Sequence, residues 1–100
     1  MLDLACIVGF DWDEGNSRKS LDKHGVDKKE AEEVFLDPRL LVLEGLKHSQ
    51  EEERFQALGE SVVGRPLHIT FTLRDEGTKI RVISARQMNR KERSLYEQEA

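Results

Sequence analysis

Arg81 and Arg86 are the residues of this chain best suited to chemistry. They sit in Lys79-Ile-Arg-Val-Ile-Ser-Ala-Arg86, and Gln-Met-Asn-Arg-Lys-Glu-Arg-Ser-Leu-Tyr-Glu follows. Between Lys79 and Arg93 there are six basic residues and one acid, Glu92, in a chain of formal net charge -4. The positive charge is therefore local, and a basic patch on an acidic protein attracts polyanions at one place. Arginine adds geometry to charge, because its planar fork grips phosphate oxygens bidentately and never deprotonates. Arg54 and Arg65 could join the pair from neighbouring strands or turns, and Lys23, Lys79, Arg90 and Lys91 could add further positive charge.

Strand geometry sets a condition on that pairing. Arg81 and Arg86 are five apart, so a straight strand sends them to opposite faces. They share a site only if the strand bulges or ends near Ser84. Otherwise one binds phosphate and the other forms an ion pair, for instance with the acidic second helix. His24 is the best-placed acid/base candidate by type, since imidazole titrates near neutral pH. It also fits a purely structural place in the last turn of a helix, facing free carbonyls and the negative end of the dipole. Glu92 and Tyr96 are one helical turn apart and share a face. Tyr96 could move a proton or stack on a base, or simply pack on the sheet. His68 shares the polar side of its strand with Thr70 and Thr72. The three histidines and the lone Cys6 have no metal-ligand spacing, so no metal and no cofactor is expected.

The elements that position these groups follow from pattern. Residues 5 to 12 read as a first strand, and Asp13 opens a helix to His24, closed by Gly25. Asp27 and Glu30 form a capping-box pattern for a second helix, with Ala31, Val34 and Phe35 on its apolar face. Asp37-Pro38 ends it. Four strands follow, over Leu40–Glu44, Arg54–Gly59, Leu67–Arg74 and Lys79–Ala85. The third alternates cleanly between apolar and polar residues, as a half-buried antiparallel strand does. Loops fall at Gly45–Glu52, which contains His48, at Ser61–Pro66 and at Asp75–Gly77. Asn89 and Glu92 repeat the capping-box pattern and open a last helix through Tyr96. The expected fold class is α+β: strand, two helices, four-stranded antiparallel meander, C-terminal helix.

One hundred residues suit one domain, 1–100, with a modest core. A hydrophobic fraction of 37% in patterned runs marks a folded chain. No apolar run approaches the ~20 residues of a membrane span, and the N-terminus lacks the basic start of a signal peptide. A single cysteine fits a reducing cytoplasm. The acidic second helix and the lack of a helix-turn-helix signature argue against direct DNA reading.

With these residues in view, the chain resembles the BrnT family of bacterial type II toxins. The matching pieces are Phe10-Asp11-Trp12-Asp13-Glu14, Lys23-His24-Gly25-Val26, Val34-Phe35 with Asp37, and His48 followed by Glu53-Arg54 and Leu58-Gly59. The last is Ile80 to Arg86, with Glu92 and Tyr96 behind it. The chain departs from the family at Asn16 and Ser20, where relatives carry Lys and Asn. It departs again before His48, where an acidic residue is usual. The resemblance implies a RelE-like fold and metal-independent RNA cleavage that inhibits translation. It also implies neutralisation by a BrnA-type antitoxin that binds DNA and, with the toxin, represses its own operon. On that footing His24, Arg54, Arg81, Arg86 and Tyr96 are the catalytic candidates. Lys23, Arg65, Lys79, Arg90 and Lys91 are the candidate RNA contacts. A binding module of the same fold, without turnover, is the competing reading, because phosphate-binding arginines serve both.

Overall fold

The computed structural model describes residues 4–12, 15, 18, 23–44 and 53–99. A 3-10 turn at Leu4–Cys6 leads to strand β1, Gly9–Phe10. Helix α1 spans Lys28–Val34, and strands β2 (Leu41–Glu44), β3 (Phe55–Glu60), β4 (Pro66–Arg74) and β5 (Lys79–Gln87) follow. Helix α2, Arg90–Glu99, comes last among the described residues. None of these helices is long and apolar enough to cross a membrane.

The α+β class and the order of elements match expectation, with two corrections. The first strand is two residues long, not eight, and the chain before it is a turn. The four-strand meander is part of a five-stranded sheet of order β1-β5-β4-β3-β2. β1 lies parallel to β5, while all other neighbours are antiparallel. The short strand is supported by its partner: Val8 and Asp11 donate backbone hydrogen bonds to Thr78 and Ile80. The expected helix over 13–24 and the loop with His48 lie largely or wholly outside the described residues. Lys23 and His24 are helical, and Gly25 follows at φ 68°, where a residue without Cβ is unstrained.

Each sheet face has its own core. Phe55, Ala57, Ile69, Phe71, Ile80, Val82 and Ala85 bury one face against Ala31 and Val34 of α1. Phe10, Phe35, Phe71 and Phe55 form a chain of ring contacts there, with centroids 5.2 to 5.5 Å apart. α1 starts where Asp27 Oδ1 accepts the Glu30 amide at 2.8 Å. Only that half of the expected capping box forms. The Glu30 carboxylate instead takes Arg65 Nη1 at 2.7 Å and Ser61 Oγ at 3.0 Å.

The opposite face is covered in part by α2, which packs Tyr96 and Leu95 with Met88 over Leu58, Leu41 and Leu43. α2 has a complete capping box: Asn89 Oδ1 accepts the Glu92 amide and Glu92 Oε1 accepts the Asn89 amide. Asp37 ties the two sides together. Its Oδ2 accepts the Glu60 amide at 2.8 Å and the Tyr96 hydroxyl at 2.5 Å, and its Oδ1 accepts the Arg39 amide.

Candidate functional site

The register of β4 against β5 carries the site. Thr70 pairs with Ser84, but Phe71 pairs with Val82, so Ile83 has no opposite residue. This is a β-bulge, and it resets the alternation of side chains along β5. Before it, Arg81 opposes Thr72; beyond it, Arg86 opposes His68. Val82 and Ala85 both reach the α1-side core. Arg81, Ser84 and Arg86 therefore share the other face, with His68, Thr70 and Thr72 of β4 and Gln56 and Leu58 of β3. The bulge near Ser84 that the pairing required is present. Arg54 directly precedes β3 and continues the alternation of Gln56 and Leu58 onto this face.

The face is a small grid of three rows. Thr72 and Arg81 form one end, where strand alternation puts Arg54 beside them, and Gln56, Thr70 and Ser84 form the middle. Leu58, His68 and Arg86 form the other end, beneath the first turn of α2. Four residues of β4 separate the two end rows, a span of ~13 Å.

At the Arg81 end the guanidinium groups are under-used. Arg81 Nη2 lies 3.6 Å from Asp11 Oδ2, a loose and partly exposed pair. The Nε atoms of Arg81 and Arg54 are buried with no hydrogen-bond partner among the described residues. Buried donors are normally satisfied, and unsatisfied ones in a native fold call for an explanation. Thr72, between them, is 2% exposed, and its hydroxyl donates to the Glu53 carbonyl at 2.8 Å.

The other end is tightly paired. Arg86 Nη1 and Nη2 donate to Glu92 Oε1 and Oε2, both at 2.8 Å, a bidentate fork. That hydrogen bond, opposed by burial and aided by the Glu92 charge, holds Arg86 above its usual range. Burial pushes the Glu92 carboxyl up, but the Arg86 and Asn89 hydrogen bonds and the His68 and Arg86 charges outweigh it, and Glu92 titrates below the usual range. His68 is 4% exposed, its Nε2 lies 3.6 Å from Glu92 Oε2, and its Nδ1 has no partner among the described residues. Burial lowers its pKa, assisted by Arg86 and resisted by Glu92 and its own backbone carbonyl, so the ring is neutral at pH 7.

Of the candidates from sequence, Arg81 and Arg86 share this face at its opposite ends, and Arg54 directly precedes β3 at the Arg81 end. Lys79, two before Arg81 on the same strand face, lies 3.4 Å from Asp75. Arg90 borders a groove on the outer side of α2 with Met88, Arg93, Ser94 and Glu97, and Lys91 is exposed beside it. His24, Lys23 and Arg65 are elsewhere. Val26, just past His24, is buried in the α1-side core, and Arg65 joins Glu30 to the Gly25 carbonyl. Tyr96 is 2% exposed and its hydroxyl is committed to Asp37. Burial and that carboxylate push its pKa up to about 12. Of the other residues on this face, the sequence points to His68 and Thr70 as a polar strand side that could line a groove and to Glu92 as a cap, and it singles out neither Gln56 nor Ser84 as a site residue. The clean alternation of β4 was the one signal pointing to His68. Among the described residues, no three His, Cys, Asp or Glu side chains are grouped to hold a metal ion.

In the solved structures, the chain is similar to the 1.1 Å crystal structure of the Brucella abortus ribonuclease toxin BrnT. The TM-score is 0.61 at 23% identity, over 83% of this chain and 99% of that one. That likeness establishes a shared fold. Comparison with curated proteins returned no match. The sequence profile of the ribonuclease toxin BrnT of type II toxin–antitoxin systems matches residues 12–92, which run from just past β1 through the capping box of α2 and include every residue of the grid. The chain therefore belongs to the BrnT family of ribonuclease toxins of type II toxin–antitoxin systems.

Proposed function

We propose that the protein is a metal-independent endoribonuclease of RelE-like fold, formed by this single domain, and that the open sheet face is its active site. The observation that carries the reading is the bulge at Ile83, which puts Arg81 and Arg86 on one open face, at opposite ends ~13 Å apart. The Arg81 guanidinium there is partly exposed and its pairing with Asp11 is a loose 3.6 Å, which suits exchange for phosphate oxygens, strong acceptors.

In the proposed reaction the ribose 2′-oxygen attacks the adjacent phosphorus and the bond to the 5′-oxygen breaks. The products are a 2′,3′-cyclic phosphate and a free 5′-hydroxyl. The 2′-hydroxyl proton passes to a base, and the departing oxygen takes up a proton. Arg54 and Arg81 hold the phosphate and stabilise the charge that grows on the phosphorane. Arg86 adds to that charge stabilisation once the phosphate competes with Glu92 for its fork. Glu92, held ionised, and neutral His68 are the proton-transfer groups adjoining Arg86. Lys79, Arg90 and Lys91 attract the flanking RNA backbone. The toxin would inhibit translation in the cytoplasm. A BrnA-type antitoxin would neutralise it and link it to DNA. A second reading, RNA or protein binding without turnover, is favoured by one observation: Glu92 occupies both arms of the Arg86 fork.

The test is purified, antitoxin-free protein with RNA in EDTA. The expected product ends in 2′,3′-cyclic phosphate. Arg54→Ala or Arg81→Ala should lower kcat by ~100-fold or more, the scale of a lost charge-stabilising donor. If wild type and an Arg81→Ala/Arg86→Ala double variant are equally inert, with and without ribosomes, the enzyme reading fails.

A further inference from the structure

We propose that the middle row, Gln56, Thr70 and Ser84, is a nucleotide-reading subsite that contacts the base edge and ribose of single-stranded RNA between two phosphate-holding ends. The inference rests on the reading of this face as an RNA-cleaving site. It goes further in naming what that site recognises and with which residues.

The grounds are register, exposure and hydrogen-bond accounting. Gln56 opposes Thr70 and Thr70 opposes Ser84, so the three side chains stand abreast across β3, β4 and β5. All three are half-buried, and no hydrogen bond engages their side chains among the described residues. Their neighbours on the grid differ. Thr72 is tied to Glu53, and Arg86 and Glu92 hold each other. The middle row thus adds three neutral groups with unassigned donors and acceptors, one amide and two hydroxyls, to the unpartnered Nε atoms of Arg54 and Arg81 and Nδ1 of His68 in the end rows.

Its position gives those groups a use. It lies between the Arg54/Arg81 end and the His68/Arg86 end, ~13 Å apart, which is longer than one stacked nucleotide rise of ~3.4 Å per strand. A phosphate held by Arg54 and Arg81 from one end and by Arg86 from the other lies over the middle row, together with the ribose and base it joins. A duplex would bury its base edges against its own partner, whereas an unpaired strand can turn base and ribose onto the sheet. The amide of Gln56 offers both a donor and an acceptor to a base edge. The Thr70 and Ser84 hydroxyls can each donate and accept, which matches a 2′-hydroxyl. Phosphate contacts carry no sequence information, so any base preference of this face must come from groups such as these.

The test compares wild type with Gln56→Met, Thr70→Val and Ser84→Ala, singly and combined. These swaps keep side-chain volume and remove hydrogen-bonding heads, and thermal unfolding checks that each variant is folded. The first readout is base discrimination among four uncleavable 2′-O-methyl oligoribonucleotides, each of one base, and the ribose contact is read separately from how much better the unmodified oligomers compete. Wild type should separate the four by several-fold, and the triple variant should bind all four alike, with the arginine-driven average less affected. The second readout is the position-by-position cleavage profile on a random single-stranded RNA pool. The triple variant should lose base preference and show KM raised roughly 10-fold or more, from the lost hydrogen bonds, with a smaller change in kcat. Equal base discrimination in wild type and triple variant overturns the inference, as does a wild type that binds all four alike or none. If wild type cleaves and the variant keeps the wild-type profile, this inference alone falls. If wild type cleaves nothing, the catalytic reading falls and the four affinities decide the subsite.

Discussion

His68 and Glu92 show how burial assigns chemistry to individual side chains. Both sit at the edge of the arginine grid, and both have folded-state pKa values below their usual ones. For His68 the unfolded chain takes up a proton below pH 6.5 that the folded chain, having buried the ring, takes up only at lower pH. Stability is therefore fully present above pH 6.5 and falls as pH drops toward the folded value. His68→Gln should remove this part of the slope, at most about 1.4 kcal/mol per pH unit, in urea titrations run between pH 7 and 5. Glu92 acts in a lower window, below its ordinary 4.5, where protonating it releases Arg86 and opens the capping box. Glu92→Gln should leave the His68 window in place and flatten the lower one. A slope between pH 7 and 5 that is unchanged by His68→Gln would show that the ring is not buried neutral.

At the scale of elements, the junction at Asp37 holds α2 to the sheet. Tyr96→Phe removes a buried hydrogen bond to a carboxylate and should cost about 1.5–3 kcal/mol at neutral pH. The Tyr96 pKa is raised, so its contribution is full below pH 10 and is lost as pH climbs toward about 12. The variant should lose that alkaline sensitivity, read by thermal melts from pH 8 to 11. Its folded fraction should cleave RNA at the wild-type rate, which separates attachment of the helix from proton transfer. Gly59 is a second device of this kind. A Cβ there would lie 2.9 Å from Val34 Cγ1 and 3.1 Å from the Val34 carbonyl, so only glycine lets α1 approach β3 so closely. Gly59→Ala should destabilise by ~1–3 kcal/mol in denaturant titrations.

Over the whole molecule, charge and apolar surface are divided by the sheet. One face is sealed by α1 and its acids, Glu30, Glu32 and Glu33, several of which bond Trp12, Ser61, Val62 and Arg65. The other is half covered by α2 and otherwise polar and basic. A net charge of -4 repels RNA from everything but that face. Single-strand RNA binding should weaken with salt, with a log–log slope near -2 if three arginines displace counterions. Arg54→Ala/Arg81→Ala should reduce that slope to roughly -0.7, measured by fluorescence anisotropy across a salt series. An unchanged slope would place the RNA elsewhere on the surface.

The sequence by itself determined the elements whose signals are local. Alternation over Leu67–Arg74 marked β4, the Asn89/Glu92 spacing marked the start of α2, and Asp27 marked α1, because periodicity and capping act within a few residues. It also located the arginines and stated the geometric condition on Arg81 and Arg86. Only the tertiary structure decided whether that condition held, because a bulge is a mismatch between two strands and has no signature in one. For the same reason partners across space were hidden. Glu30 left its capping box for Arg65, Tyr96 reached Asp37 59 residues away, and His68 met Glu92 only when α2 folded over β4. The short β1 was overestimated because its apolar run packs as a turn, and parallel pairing to β5 depends on the last strand of the chain. Residue types set which chemistry was available, and the register of β4 against β5 set which residues share it.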